Sequence, residues 1–148
     1  MSRDYKIFSV DEANDLIPGL NYEFGMIMMH MRQMEEALSN LMRLGVDPSP
    51  AMVSAKRTDT KNVRKLKRQL KKVIAAMYCH YTKVRETEVV IQDVATGTVS
   101  FYTYFGEHPV FLTWQYGESE VKWWHEIFED TENRKPLPRS HTFSSVLN

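Results

Sequence analysis

The chain has 148 residues, 43% of them apolar, and its 19 basic and 19 acidic side chains give a formal net charge of zero. A chain of this length can bury one sizeable core, and its balanced charge excludes a global field that would attract polyanions. One cysteine excludes an intramolecular disulfide, and no apolar run approaches the roughly 20 residues that span a bilayer. We therefore expect a single domain over residues 1–148, a cytoplasmic location and no membrane partner.

The first part of the chain predicts two amphipathic helices within about residues 9–86. Ser9 and Glu12 have the spacing of a capping box, in which each side chain bonds the other residue's backbone N–H. Apolar residues then recur at spacings of three and four, a heptad-like seam that predicts coiled-coil packing, and Pro18 predicts a kink or a short break. The glycine- and proline-containing segment 45–50 reverses the chain, and the second helix is expected near its end or a little later. Two helices with a short connection form an antiparallel hairpin.

Beyond residue 86 the hydrophobic period changes from that of helices to that of strands. The segments 88–93, 99–105 and 110–116 are rich in β-branched and aromatic residues and are separated by glycine-containing turns, which predicts a small antiparallel β-meander.

A short C-terminal helix is predicted within residues 119–128, because Val121, Trp124 and Ile127 fall on one helical face. The β-rich cap therefore covers about residues 88–128, and residues 130–148 form an extended tail. The predicted fold class is α+β: a long antiparallel α-helical hairpin with a small antiparallel β-meander and a short C-terminal helix.

Several segments together resemble one protein family. They are the opening Phe-Ser-Val-Asp-Glu-Ala-Asn-Asp-Leu-Ile-Pro at 8–18, residues 97–101, Leu-Thr-Trp-Gln-Tyr-Gly-Glu at 112–118, Trp-His-Glu at 124–126 and Arg-Lys-Pro-Leu at 134–137. This combination is similar to the uncharacterised bacterial family DUF2203. The resemblance implies a shared fold and a cytosolic bacterial setting, and it implies no reaction.

Four polar residues near the C-terminal end form a candidate metal site. Glu118 and His125 are seven residues apart, which would bring them to nearly the same face of the predicted helix, and Glu126 and His108 could join them. Carboxylate and imidazole groups bind zinc or iron and also suit acid–base catalysis. The alternative is that Glu118 caps the helix and His125 bonds a backbone carbonyl, which the lack of a tight ligand motif favours.

Basic residues crowd the first half of the second helix and could contact phosphates of a nucleic acid. The same charges could form a solvated face that pairs with acidic residues of the first helix or of a second subunit. The run contains no interleaved aromatic residues, so base stacking is not expected there. Lys67 is also part of this run, and the basic patch comprises Arg64, Lys65, Arg68, Lys71 and Lys72.

Methionines extend around the first helix beyond a single seam, which favours an oligomer or partner surface. The favoured interpretation is a non-catalytic helical interaction or scaffold protein that forms a homodimer, a binding module in preference to an enzyme. The alternatives are a small metal-dependent protein and, with less support, a nucleic-acid-binding protein. The expected interaction residues are Trp114, Trp124, Arg134, Met28 and Met31.

Overall fold

The computed structural model of the protein describes residues 4–138, and their contacts form two compact units. The helical unit is Gly25–Thr82, and the sheet unit comprises residues 4–24 and 83–138. Two long helices and a five-stranded antiparallel sheet confirm the α+β class. That the chain forms a single domain stays a prediction. The part of the expected tail beyond residue 138 lies outside the described residues.

The first helix, α1, spans Val10–Arg43 and begins at the predicted capping box. The Ser9 N–H donates to Glu12 Oε1 at 3.1 Å, and the Glu12 N–H donates to Ser9 Oγ at 3.0 Å. Of the kink or short break expected at Pro18, the break is wrong, because α1 continues through this residue. Pro18 is exposed, so the one carbonyl that it deprives of a partner is on the side of the helix where water can bind it.

The second helix, α2, spans Lys61–Glu86 and therefore begins later than the region near Pro50. A single 3₁₀ turn at Pro50–Val53 occupies the earlier position. Thr60 caps α2, since its Oγ1 accepts the Val63 N–H at 3.2 Å. The propensity pattern alone could not distinguish a helix start from this isolated turn.

A buried lysine holds the loop that precedes α2. Lys67 is 3% exposed, and its Nζ donates to the Ser54 carbonyl at 2.8 Å and to Asp59 Oδ2 at 2.9 Å. The Lys56 N–H also donates to Asp59 at 2.7 Å. These hydrogen bonds, the backbone one first, lower the pKa of Asp59 below its ordinary value. Lys67 is therefore a structural residue and no part of a solvated basic face.

The helical unit contains its own apolar core. Ala37 and Leu41 of α1 pack with Val63 and Leu70 of α2 and with Met52 of the 3₁₀ turn. Farther along, the rings of His30 and His80 stack with centroids 5.7 Å apart. Residues early in α1 thus face residues late in α2, which is the predicted antiparallel hairpin.

The sheet unit contains five strands in sequence order, each antiparallel to its neighbour, which confirms the predicted meander. The helix expected within residues 119–128 is wrong: this segment contributes a strand that pairs Phe111 with His125 and Leu112 with Trp124. The strands are β1 Val90–Asp93, β2 Thr98–Phe105, β3 His108–Gln115, β4 Trp123–Glu126 and β5 Lys135–Pro136.

Alternation along the strands gives the sheet two different faces. On the apolar face, Phe101 packs edge-on against Phe8 with centroids 5.3 Å apart, and Trp114 lies 6.3 Å from Phe24 of α1. Val99 and Leu112 complete this face and are fully buried. The opposite face, called the polar face below, presents buried polar side chains: Thr98, Ser100, Thr113 and His125.

Candidate functional site

His125 lies on the polar face at the centre of a buried hydrogen-bond chain. Its Nδ1 donates to the Glu126 carbonyl at 2.7 Å, and in the tautomer with the proton on Nδ1 its Nε2 accepts from Ser100 Oγ at 3.3 Å. Gln92 Nε2 donates to the same Ser100 oxygen at 3.2 Å. His125 thus bonds a backbone carbonyl, as the alternative to the metal site expected. Because His125 and Ser100 are almost completely buried, this chain orients β1, β2 and β4 relative to one another.

Glu118 is bound by an arginine instead of a histidine. Arg134 donates through Nη1 and Nη2 to the two Glu118 carboxylate oxygens at 3.1 and 2.9 Å. Glu118 Oε1 also accepts the Gln115 N–H at 2.7 Å, so the carboxylate closes the turn after β3. The guanidinium carbon of Arg134 lies 4.8 Å from the Trp123 ring centroid. Within the sheet unit, the guanidinium group of Arg134 therefore forms an ion pair with Glu118 and a cation–π contact with Trp123.

The other two residues of the expected metal site form a separate pair. His108 Nε2 donates to Glu126 Oε2 at 2.6 Å, with the His108 side chain 58% exposed. This pair and the Glu118–Arg134 pair have different partners, and the helix that was expected to align Glu118 with His125 is a strand. Among residues 4–138, no group of three or more His, Cys, Asp or Glu side chains is arranged to hold a metal ion.

The expected docking role of the tryptophans changes with their surroundings. Trp114 is fully buried, and its Nε1 donates to the Glu118 carbonyl at 2.8 Å, so it is a core residue. Trp124 is half-buried between Phe105, 4.8 Å away, and the Lys135 Nζ, 4.7 Å from its ring centroid. Both tryptophan side chains therefore make packing contacts inside the sheet unit.

Two groups in the sheet unit have perturbed acidity. The hydroxyl of Tyr102 bonds that of Tyr104 at 3.0 Å, and this bond together with burial raises the pKa of Tyr102 to about 12. Lys135 donates to Glu129 Oε1 at 2.8 Å, and this bond is the main reason that the pKa of Glu129 falls below its ordinary value. Tyr102 therefore stays protonated, and Glu129 stays ionised, at neutral pH.

All five residues of the predicted basic patch are exposed, but they do not share one environment. Lys72 and Lys65 line a groove between α1 and α2. Lys67, in the middle of the same run of sequence, is buried and neutralised by Asp59. The basic run is thus interrupted at its centre and divided between groove and open surface.

An interhelical groove runs between α1 and α2 in the helical unit. It consists of two adjoining cavities of about 390 Å³ each, which share Asn40, Leu66 and Gln69. It continues from Gln33 to Leu44 along the α1 side, a rise of about 16 Å for a helix. Met28 and Met31 are half-buried and are not among its lining residues.

The model of the family described as an uncharacterized conserved protein, DUF2203, matches residues 6–137. The chain belongs to this family. No curated protein and no solved structure shows a significant match to it. In the described part of this DUF2203 member, no helix is long and apolar enough to cross a membrane.

The sequence analysis missed Ser100 and Gln92, which complete the His125 chain in this DUF2203 member. Alternation offered a signal, because Ser100 occupies a position between two buried apolar residues of a predicted strand. Without the position of β4, however, no partner for such a serine could be named, since His125 had been placed on a helix.

Proposed function

We propose that this protein is a helical interaction module that forms a homodimer through the interhelical groove of the helical unit. The observation that supports this proposal is the groove itself, which is open along about three helical turns and has Ala37, Leu66 and Val73 at its apolar base. A two-helix hairpin buries one stripe of each helix, so a further helix packed into this groove would complete a bundle.

Charge favours a second copy of the chain as the occupant. Glu36 lies on the α1 side of the groove and Lys72 on the α2 side, and both are exposed. In the part of the chain described, neither residue forms an ion pair. A twofold axis makes the same patch face itself, so Glu36 of each copy could meet Lys72 of the other. This arrangement would match opposite charges twice across one interface.

Half-buried methionines support the same proposal. Met29 lies one helical turn before Gln33 on the side of α1 that carries the groove, and it is only partly covered. Methionine side chains adapt to irregular surfaces, which suits packing between copies. The coiled-coil character expected from the seam would then be a property of the dimer.

Sedimentation velocity of the full chain at micromolar concentration tests the proposal. We expect a dimer for the native protein. Glu36→Lys places two like charges together at each contact and should weaken the dimer at least about tenfold, equivalent to about 1.4 kcal/mol. Adding Lys72→Glu to this variant exchanges the charges and should restore the dimer.

Glu35→Lys is the matched control, because Glu35 is exposed on the same helix and does not line the groove. A native protein that remains a monomer at these concentrations would refute self-association. A Glu35→Lys effect as large as that of Glu36→Lys would show that net charge, and not this groove, controls assembly.

The exposed basic residues support a second candidate, the binding of nucleic acid. Arg64, Arg68 and Lys71 lie outside the groove lining and would remain accessible in the proposed dimer. Binding through phosphates would weaken linearly with the logarithm of salt concentration. Fluorescence anisotropy with a labelled oligonucleotide at several salt concentrations tests this candidate, and no binding at low salt would eliminate it.

The cytoplasmic location remains a prediction.

A further inference from the structure

The outward side of α2 carries a row of exposed residues at seven-residue spacing. Arg64, Lys71 and Tyr78 are all exposed, and Tyr78 is 67% exposed. Two turns of an α-helix contain about 7.2 residues, so residues seven apart lie almost directly above one another, with a rise of about 10.5 Å per step. None of the three lines the interhelical groove. These residues, called the α2 row below, therefore form a surface that is separate from the proposed dimer interface.

The charge of α2 is one-sided and is not neutralised on this surface. Residues 61–85 include Lys and Arg but no Asp or Glu, and the one acidic residue of the helix is the last, Glu86. In the part of the chain described, Arg68 and Lys71 form no ion pair. Arg64 Nη2 contacts a backbone carbonyl at 3.4 Å, which does not neutralise its charge. The α2 row therefore presents cations that an anionic partner can bind.

These charges oppose the helix that carries them. The N-terminal end of a helix is the positive end of its dipole, so basic residues are unfavourable in the half of α2 that carries Arg64 and Arg68. Like charges four residues apart also repel, which applies to Arg64 with Arg68 and to Arg68 with Lys72. A partner that places several negative charges along the α2 row would remove this repulsion, and a polyanion does so with one molecule.

Tyr78 indicates which polyanion suits the α2 row. Within the part of the chain described, its ring has no aromatic contact and its hydroxyl has no hydrogen bond. Ile74, one helical turn earlier, is 40% exposed, so the ring stands beside a second accessible apolar side chain. Cations that contact phosphates, together with an accessible aromatic ring, are the combination that binds single-stranded nucleic acid. An acidic protein segment would match the cations alone.

We propose that the α2 row binds single-stranded nucleic acid, with phosphates at Arg64 and Lys71 and an unpaired base stacked on Tyr78. This inference rests on the second candidate of the proposed function, to which it adds the kind of strand and the residue that distinguishes it from a duplex. In a duplex the faces of the bases already stack on one another, so only the phosphates are available. Binding is non-covalent and tolerates any base, because every base has an aromatic face.

Fluorescence anisotropy of the full chain tests this inference with a labelled oligothymidine of about 12 nucleotides and with a duplex of equal charge. Tyr78→Ala should weaken oligothymidine binding at least about fivefold, through the loss of stacking, and leave duplex binding unchanged. Tyr78→Phe keeps the ring and should bind like the native protein. Lys71→Gln should weaken the binding of both and reduce the slope of the salt dependence by about 0.7–0.9, because one phosphate contact is lost.

Tyr116→Ala is the matched control, because Tyr116 is also 40% exposed but belongs to the sheet unit. It should leave both affinities unchanged. Failure of both oligonucleotides to bind at low salt would eliminate the second candidate function, and this inference with it. If the oligonucleotides bind, an unchanged oligothymidine affinity in Tyr78→Ala, or an equal loss for the duplex, would overturn this inference alone. Polyglutamate that competes as effectively as oligothymidine at equal charge would also overturn it, since an acidic protein segment would then be the occupant.

Discussion

Replacing His125 with phenylalanine tests the buried hydrogen-bond chain of the polar face. The substitution keeps a ring in the space beside Phe111, whose centroid lies 5.5 Å away, and removes both bonds of the imidazole. The Glu126 carbonyl loses a donor at 2.7 Å and Ser100 loses an acceptor at 3.3 Å. Loss of buried partners of this kind costs about 1–3 kcal/mol, and we expect a decrease in the free energy of unfolding of about 2 kcal/mol.

A double-mutant cycle with Ser100→Ala isolates the bond between the two side chains. Because 3.3 Å is long for a hydrogen bond, we expect a coupling of about 0.5–1 kcal/mol. Urea unfolding followed by tryptophan fluorescence is the appropriate assay, since all three tryptophans of the chain belong to the sheet unit. Effects of the two single substitutions that add to within about 0.3 kcal/mol would refute the reasoning.

His108→Phe is the control for this experiment. His108 is 58% exposed and pairs with Glu126 at the surface, so the same change of residue type should alter stability by less than about 0.5 kcal/mol. A loss as large as that for His125 would mean that burial does not determine the cost.

Three further substitutions test other contacts. Glu118→Gln breaks the bidentate pair with Arg134 and should lower the free energy of unfolding by about 1–2 kcal/mol, measured by urea unfolding. Leu41→Ala leaves a cavity in the helical core and should cost about 2–5 kcal/mol, measured by far-ultraviolet circular dichroism. Asp59→Asn should make the free energy of unfolding fall less steeply at acidic pH. The pKa of Asp59 in the folded protein lies below its ordinary value of 3.8, so the ionised carboxylate contributes its full stabilisation above pH 3.8 and loses it as the pH falls through the pKa of the folded state. Unfolding midpoints measured from neutral to acidic pH check this.

Matched controls separate these mechanisms from general damage. Glu120→Gln removes an exposed ion pair, in which Glu120 Oε1 lies 3.9 Å from Lys122 Nζ, and should change the free energy of unfolding by less than about 0.5 kcal/mol. Met42→Ala, at a position 52% exposed beside Leu41, should do the same. Equal losses in control and test variants would contradict the assignments, and an Asp59→Asn profile that falls as steeply as the native one would contradict the pH argument.

The sequence predicted features that depend on neighbouring residues and missed those that depend on distant partners. The capping box of Ser9 and Glu12 and the meander follow from local spacing, and both are confirmed. The helix predicted within residues 119–128 was wrong because the apolar spacing of three residues is typical of a helix. The segment forms a strand instead, since it pairs with the edge of β3, which is distant in sequence from the local pattern.

The candidate sites show the same limit. Arg134 and Glu118 are sixteen residues apart, and neither spacing nor residue type indicated that they would neutralise each other. Lys67 read as one member of a basic run, because its partner Asp59 lies in a loop whose path the sequence does not define.

The division of the sheet unit into two chain segments determines the order in which the protein can be completed during synthesis. The hydrogen bond from the Val121 N–H to Asn14 Oδ1, at 2.7 Å, joins residues 107 positions apart. The helical unit uses residues 25–82 alone and can form as it leaves the ribosome, whereas Phe8 and Phe24 must wait for their partners Phe101 of β2 and Trp114 of β3. The first turns of α1 therefore lack the cover of their apolar side until β2 and β3 have been synthesised.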